Sequence, residues 1–134
     1  MLKYVIAYLA TGLTFATVDA VWLTLSNERL YRPTLNPILA EDVNLKAAAA
    51  FYLAYILGIL LLAVSPAASW TKAMTTGAIL GAMCYATYDL TNQATLKVWA
   101  TKITVADILW GTFVTAIAAS VGYLALRWAS AKFG

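Results

Sequence analysis

The 134-residue sequence has no histidine and a single cysteine, and each shortage removes a class of site. Without histidine, no imidazole is present to act as a general base or a metal ligand. Cys84 alone cannot form an intrachain disulfide or a cysteine-based metal cluster, and we expect it to be packed as a small apolar residue. We therefore predict no cofactor and no metal site.

Charged residues are also scarce, and this shortage excludes a soluble globule. They make up 11% of the chain, against 63% hydrophobic residues, whereas soluble domains contain about 25% charged residues. The net charge of +3 comes from basic residues scattered between apolar runs, so no basic stripe forms and we predict no nucleic-acid partner. The expected partner of the apolar surface is the lipid bilayer.

Four apolar runs separated by charged segments predict four membrane-spanning helices. We place these spans at residues 4–25, 47–64, 71–93 and 104–128 of one transmembrane domain covering residues 1–134. The predicted fold is all-α: an integral membrane four-helix bundle with antiparallel up-down spans and a longer polar loop between the first two. The first run is too long for the apolar part of a signal peptide, so we expect it to be retained as a span.

Local signals predict where the later helices begin. Asn36 and Pro37 are typical of an N-cap and a first helical position, so the second helix would begin there. Ser69 is the predicted N-cap of the third helix. Thr104–Asp107 fits a capping box at the start of the fourth helix, which would give Asp107 a purely local role.

Three aspartates lie inside the predicted spans, where ionisable residues are costly and mark candidate functional sites. Counting from the flanking lysines at about 1.5 Å per residue places all three in one layer near the membrane face opposite the termini. Asp19 and Asp107 each precede a tryptophan by three residues, so carboxylate and indole share a helix face. The predicted pocket comprises Asp19, Trp22, Tyr52, Tyr55, Tyr85, Tyr88, Asp89, Asn92, Asp107 and Trp110.

Other interpretations of these residues stay open from the sequence alone. Asp19 and Asp89 would be structural if Arg29 or Arg32 of the first loop formed ion pairs with them. The tryptophans of the layer would equally suit an aromatic belt at the membrane interface. In a true acidic pocket, a shared proton or a bound cation would relieve the repulsion between carboxylates.

Small residues mark two faces for close helix packing. Gly77 and Gly81 are four residues apart in the third span, and Gly111 and Gly122 belong to a stripe of small residues in the fourth. Four helices rarely enclose a complete transport pathway, so a transporter would need a homodimer. These two faces are the candidates for its interface.

Four blocks of the sequence carry a family resemblance. They are Asp-x-x-Trp in the first span, Phe51-Tyr52-x-x-Tyr55-x-x-Gly58, Tyr-Asp-Leu-Thr-Asn-Gln-Ala-Thr-Leu at 88–96, and Asp107-Ile108-x-Trp110-Gly111. Over nearly its whole length the chain resembles a bacterial membrane family, domain-of-unknown-function family 2177. The resemblance implies a four-span protein of the bacterial inner membrane and carries no established activity. Small multidrug-resistance transporters are more loosely similar, although they lack the long first loop and the three acids.

Three functions are compatible with these features. The first is binding or transport of a proton, a cation or a small lipophilic or cationic molecule. The second is a membrane enzyme that acts on a lipid or isoprenoid-like substrate by carboxylate acid/base chemistry, alone or with a divalent metal, although no catalytic residue is assigned. The third is a structural or accessory membrane subunit. Cations are nearly balanced between the two sides, and we place both termini in the cytoplasm because their cations flank short segments.

Overall fold

The computed structural model describes all of residues 1–134 and contains four helices and no strand. Their bounds are Leu2–Ile38 (α1), Leu45–Val64 (α2), Trp70–Thr95 (α3) and Thr101–Phe133 (α4). The predicted all-α fold with four helices is therefore confirmed. Helices α1, α2 and α4 are long and apolar enough to cross a membrane. Helix α3 is more polar, and its assignment as a span stays a prediction.

Helix α1 continues far beyond the predicted end of the first span. A regular helix over Leu2–Ser26 passes into a π-helical turn at Asn27–Tyr31, where the Arg32 N–H bonds to the carbonyl of Asn27, five residues earlier. This widened turn precedes Pro33, whose ring would clash with a carbonyl in a regular helix. The predicted long polar loop is therefore wrong, because only residues 39–44 separate α1 from α2. The polar side chains of the α1 extension, residues 27–38, are compatible with a helix because they can face solvent while the backbone hydrogen bonds continue.

The start of α2 also differs from the prediction. Asn36 and Pro37 belong to the last, tightened turn of α1, so their interpretation as a helix start was wrong. The N-cap of α2 is Asn44, whose side-chain oxygen accepts a hydrogen bond from the N–H of Ala47 at 3.1 Å. Asparagine is a favourable N-cap at any helix start. Both Asn36 and Asn44 therefore fit the sequence signal, and the structure uses Asn44.

The third helix begins as predicted and the fourth does not. Ser69 is the N-cap of α3 and accepts a hydrogen bond from the N–H of Lys72 at 3.1 Å. Helix α4 begins at Thr101, so Thr104 already lies within the helix. Its hydroxyl donates to Gln93 at 2.6 Å, which ties the start of α4 to the end of α3. The predicted capping box is therefore wrong, and Asp107 is free for other partners.

Helix α4 forms the centre of the molecule, with α1 and α3 packed along it. A Cβ added at Gly81 would collide with the carbonyl of Gly111 and with Thr115, which shows how closely the backbones of α3 and α4 approach. On the other side of α4, a Cβ at Gly122 would collide with Thr11 of α1. The glycine faces are thus filled within one chain. The suggestion that they form a homodimer interface is wrong for this reason.

Helices α2 and α3 are packed together at one end only. They are joined by the short segment 65–69, and the part of α2 that contacts α3 is its last turn, Leu60–Val64. Toward the opposite membrane face the two helices diverge. The divergence leaves a cleft whose base is α4.

Candidate functional site

Asp19 ties three helices together. It is 7% exposed, and its two carboxylate oxygens accept hydrogen bonds from the Tyr52 hydroxyl of α2 at 2.5 Å and from the Trp110 indole N–H of α4 at 3.0 Å. Both donors were in the predicted pocket. No cation approaches Asp19, so the structure explains this carboxylate by hydrogen bonding across helices.

Asp107 receives a hydrogen bond from a residue that the sequence analysis did not identify. The Tyr31 hydroxyl, in the extension of α1, donates to Asp107 at 2.5 Å and accepts from the Trp22 indole N–H at 3.0 Å. At 3.6 residues per turn, Tyr31 would lie on the face of α1 opposite Trp22, nine residues earlier. The widened turn at 27–31 rotates Tyr31 toward the face of Trp22. No simple sequence signal predicts this turn.

In the two Asp-x-x-Trp sequences of α1 and α4, the tryptophan of each helix is hydrogen-bonded, directly or through Tyr31, to the aspartate of the other. The Trp110 indole of α4 reaches Asp19 of α1, while the Trp22 indole of α1 reaches Asp107 of α4 through Tyr31. The two indole rings stack with centroids 4.7 Å apart and planes at 7°. The repeated spacing therefore has a structural basis, and these tryptophans form a stacked pair joining two helices.

Asp89 differs from the other two aspartates. It is 0% exposed, and no donor reaches either of its carboxyl oxygens. Its ionisable neighbour across the contact between α3 and α4 is the carboxyl of Asp107. The suggested ion pairs with Arg29 or Arg32 do not form. Arg29 has no acidic partner, and Arg32 pairs with Glu28 of its own helix at 3.2 Å.

The three aspartates therefore form two neighbouring groups and not one three-acid cluster. Asp89 and Asp107 are neighbours, while Asp19 has its own donors, Tyr52 and Trp110. Nowhere in the chain do three acidic or cysteine side chains come close enough to hold a metal ion.

A cavity of about 320 Å³ lies in the cleft between α2 and α3. Its lining combines aromatic rings and one carboxyl group: Phe51, Cys84, Tyr85, Tyr88 and Asp107. Asp107 is its only charged residue.

The remaining predicted pocket residues lie around the cavity and do not line it. The Tyr55 hydroxyl shares a hydrogen bond of 2.8 Å with that of Thr115, and its ring lies 6.4 Å from that of Tyr85. Asn92 is half-buried one turn beyond Tyr88. Of the predicted set, Tyr85, Tyr88 and Asp107 line the cavity itself.

Comparison with known proteins gives one match. A family model described as a predicted membrane protein (DUF2177) matches residues 4–124. No curated protein and no solved structure matches the chain.

Proposed function

This chain belongs to the DUF2177 family of predicted membrane proteins, and from that premise we propose that it binds a small lipophilic cation in the cavity between α2 and α3. It is a multi-pass membrane protein, so the bilayer both surrounds the cavity and holds lipophilic molecules near it. The proposal concerns binding of the cation and not its transport across the membrane.

The proposal depends on one observation: Asp107 is the single charged group in a cavity otherwise lined by rings and a thiol. A carboxylate in an environment of low polarity attracts a cation more strongly than it does in water. Three of the lining residues, Phe51, Tyr85 and Tyr88, present aromatic rings, which also attract cations. An anion would be repelled, and a neutral apolar molecule would leave the carboxylate without a counter-charge.

The position of the cavity favours a lipophilic ligand. It opens in the cleft where α2 and α3 diverge, and two of its lining rings, Phe51 and Tyr88, are 49% and 58% exposed on the outer surface. A ligand dissolved in the bilayer can reach such a site sideways. The volume of about 320 Å³ is at the lower end of the range of about 300 to 1,000 Å³ for small-molecule pockets. The ligand is therefore small.

The test is equilibrium binding of benzyltrimethylammonium to the protein in lipid nanodiscs, measured by calorimetry. We expect Asp107→Asn to weaken binding about tenfold or more, equivalent to about 1.4 kcal/mol. The asparagine keeps an oxygen for Tyr31, so the change removes charge and little else. Asp42→Asn, which removes an exposed carboxylate from the α1–α2 loop, should leave binding unchanged.

A neutral ligand of the same shape completes the test. Neopentylbenzene places a carbon where benzyltrimethylammonium has its charged nitrogen. The wild-type protein should bind the cation in preference. Equal binding of the two molecules, or unchanged binding of the cation by Asp107→Asn, would overturn the proposal.

We place the protein in the bacterial inner membrane with both termini in the cytoplasm. The cations of the terminal side, Lys3, Lys72, Arg127 and Lys132, lie next to helix ends or short segments, where basic residues favour the cytoplasm. A fluorescent protein that folds only in the cytoplasm, fused after Gly134, should be fluorescent. A dark fusion together with an active periplasmic phosphatase fusion would reverse this orientation.

Transport, as opposed to binding, would require a second copy of the chain, and we propose a homodimer for that case. The glycine faces are filled within one chain, so the interface would lie on the outward apolar surface. Mass measurement of the detergent-solubilised protein distinguishes one copy from two.

A further inference from the structure

The three buried aspartates differ in the donors that reach them. Asp19 accepts two hydrogen bonds and Asp107 accepts one from Tyr31. Asp89 accepts none, although it is 0% exposed and both oxygens are buried. An ionised carboxylate that is fully buried and has neither a protein donor nor a counter-ion is strongly disfavoured. The protonation state of Asp89 is therefore set by what faces it.

The groups that face Asp89 include no cation. Asp107 faces it from α4, Tyr31 approaches from the extension of α1, and Tyr88 is the nearest titratable neighbour on its own helix. The one ion pair of the chain, between Arg32 and Glu28, lies on the surface of α1. Two ionised carboxylates facing each other without a cation would repel, and neither would supply a hydrogen.

We propose that Asp89 carries a resident proton and donates it in a hydrogen bond to Asp107, so that the pair of carboxyl groups carries a single negative charge and only Asp107 presents it to the cavity. Asp107 then accepts two hydrogen bonds, one from Tyr31 and one from Asp89, as Asp19 does from its own two donors. Asp89 acts as a positioning residue, since Asp107 and not Asp89 lines the cavity.

The single negative charge indicates which cations the cavity binds, and this step rests on the proposed function. One negative charge is neutralised by a monovalent organic cation, whereas a divalent ion would call for a second carboxylate. Because the charge on the pair already balances such a ligand, the ligand binds without displacing the proton. Cation binding should therefore release no proton.

The first test needs no ligand. Infrared spectroscopy of protein labelled with carbon-13 in its aspartate carboxyl groups distinguishes a protonated carboxyl from a carboxylate. We expect the protonated band at neutral pH in the wild-type protein and in Asp107→Asn, and its loss in Asp89→Asn. Asp42→Asn, at an exposed position of the α1–α2 loop, is the matched control and should retain it.

Two results would overturn the inference. One is the absence of the protonated band from the wild-type protein, which requires no variant to fold. The other is a band that disappears in Asp107→Asn and remains in Asp89→Asn, which would place the proton on Asp107.

The second test counts protons during binding. Calorimetric titration with benzyltrimethylammonium in buffers of different ionisation enthalpy should give zero protons exchanged per cation. Asp89→Asn should bind within about threefold of wild type, since its amide can donate to Asp107 as the carboxyl does. Release of one proton per cation would overturn the inference and indicate exchange of cation for proton.

The two proposals fail separately. If benzyltrimethylammonium does not bind at all, the proposed function is lost, while the infrared result still decides whether Asp89 is protonated. If the cation binds and the protonated band is missing, the proposed function stands without the resident proton.

Discussion

The contribution of the hydrogen bond between Asp19 and Tyr52 to the free energy of unfolding can be measured by a double-mutant cycle. It joins α1 to α2 at 2.5 Å on an oxygen separate from the one that Trp110 contacts. Hydrogen bonds between membrane helices contribute about 0.6 kcal/mol on average and about 1.7 kcal/mol at most. A carboxylate acceptor strengthens the bond, so we expect a coupling of about 1 to 1.7 kcal/mol between Asp19→Ala and Tyr52→Phe.

The assay is reversible unfolding of the purified protein by sodium dodecyl sulfate in mixed micelles, followed by tryptophan fluorescence. The loss of volume in Asp19→Ala occurs both with and without Tyr52→Phe, so it cancels from the coupling free energy. The single variants Asp19→Ala and Tyr52→Phe should each unfold at lower detergent fraction than wild type.

A matched control is available on the same two helices. Tyr8, three turns before Asp19 along α1, donates its hydroxyl to the carbonyl of Leu53 in α2 at 2.9 Å. Tyr8→Phe combined with Asp19→Ala should be additive to within about 0.5 kcal/mol. If the Tyr52 cycle were also additive within this limit, the role of Asp19 as a tie between helices would be refuted.

Two further predictions concern the packing of α4 and the extension of α1. Gly81→Ala should destabilise the protein by about 1 to 3 kcal/mol in the same unfolding assay, because its Cβ collides with the backbone of α4. The control is Gly58→Ala, whose Cβ would have nothing within 4 Å and which should be neutral or stabilising by up to about 1 kcal/mol. Equal effects of the two substitutions would contradict the close packing of α3 on α4. Tyr31→Phe removes the hydrogen bond to Asp107 and should speed amide hydrogen exchange throughout the extension, while Tyr4→Phe, without a hydroxyl partner, should not. Unchanged exchange in Tyr31→Phe would show that the bond does not hold the extension.

The helices could be predicted because their signal is spread over many residues. Apolar runs long enough to cross a bilayer appear whatever their partners are, and the cap at Ser69 depends only on neighbouring backbone. The end of α1 could not be predicted in this way. Pro33 and Pro37 favoured a break, yet the widened turn at 27–31 accommodates the first and the last turn of the helix contains the second.

The candidate site was predicted in part, for a physical reason. Buried carboxylates are so costly that Asp19, Asp89 and Asp107 were recognisable from sequence alone. Their grouping depends on which helices touch, and spacing along the chain carries little of that information. Tyr31 could not be recognised because it lies in a polar stretch whose composition predicts a loop.

Cys84 permits the most direct test of the central claim, because it is the only cysteine and it lines the cavity. The measurement is the rate at which N-ethylmaleimide labels Cys84 in nanodiscs as benzyltrimethylammonium is added. A cation bound beside Asp107 should slow labelling in a saturable way in the wild-type protein, and about tenfold more cation should be needed in Asp107→Asn. A labelling rate that is unaffected by saturating cation, or that is slowed equally in both proteins, would contradict a cation site at Asp107.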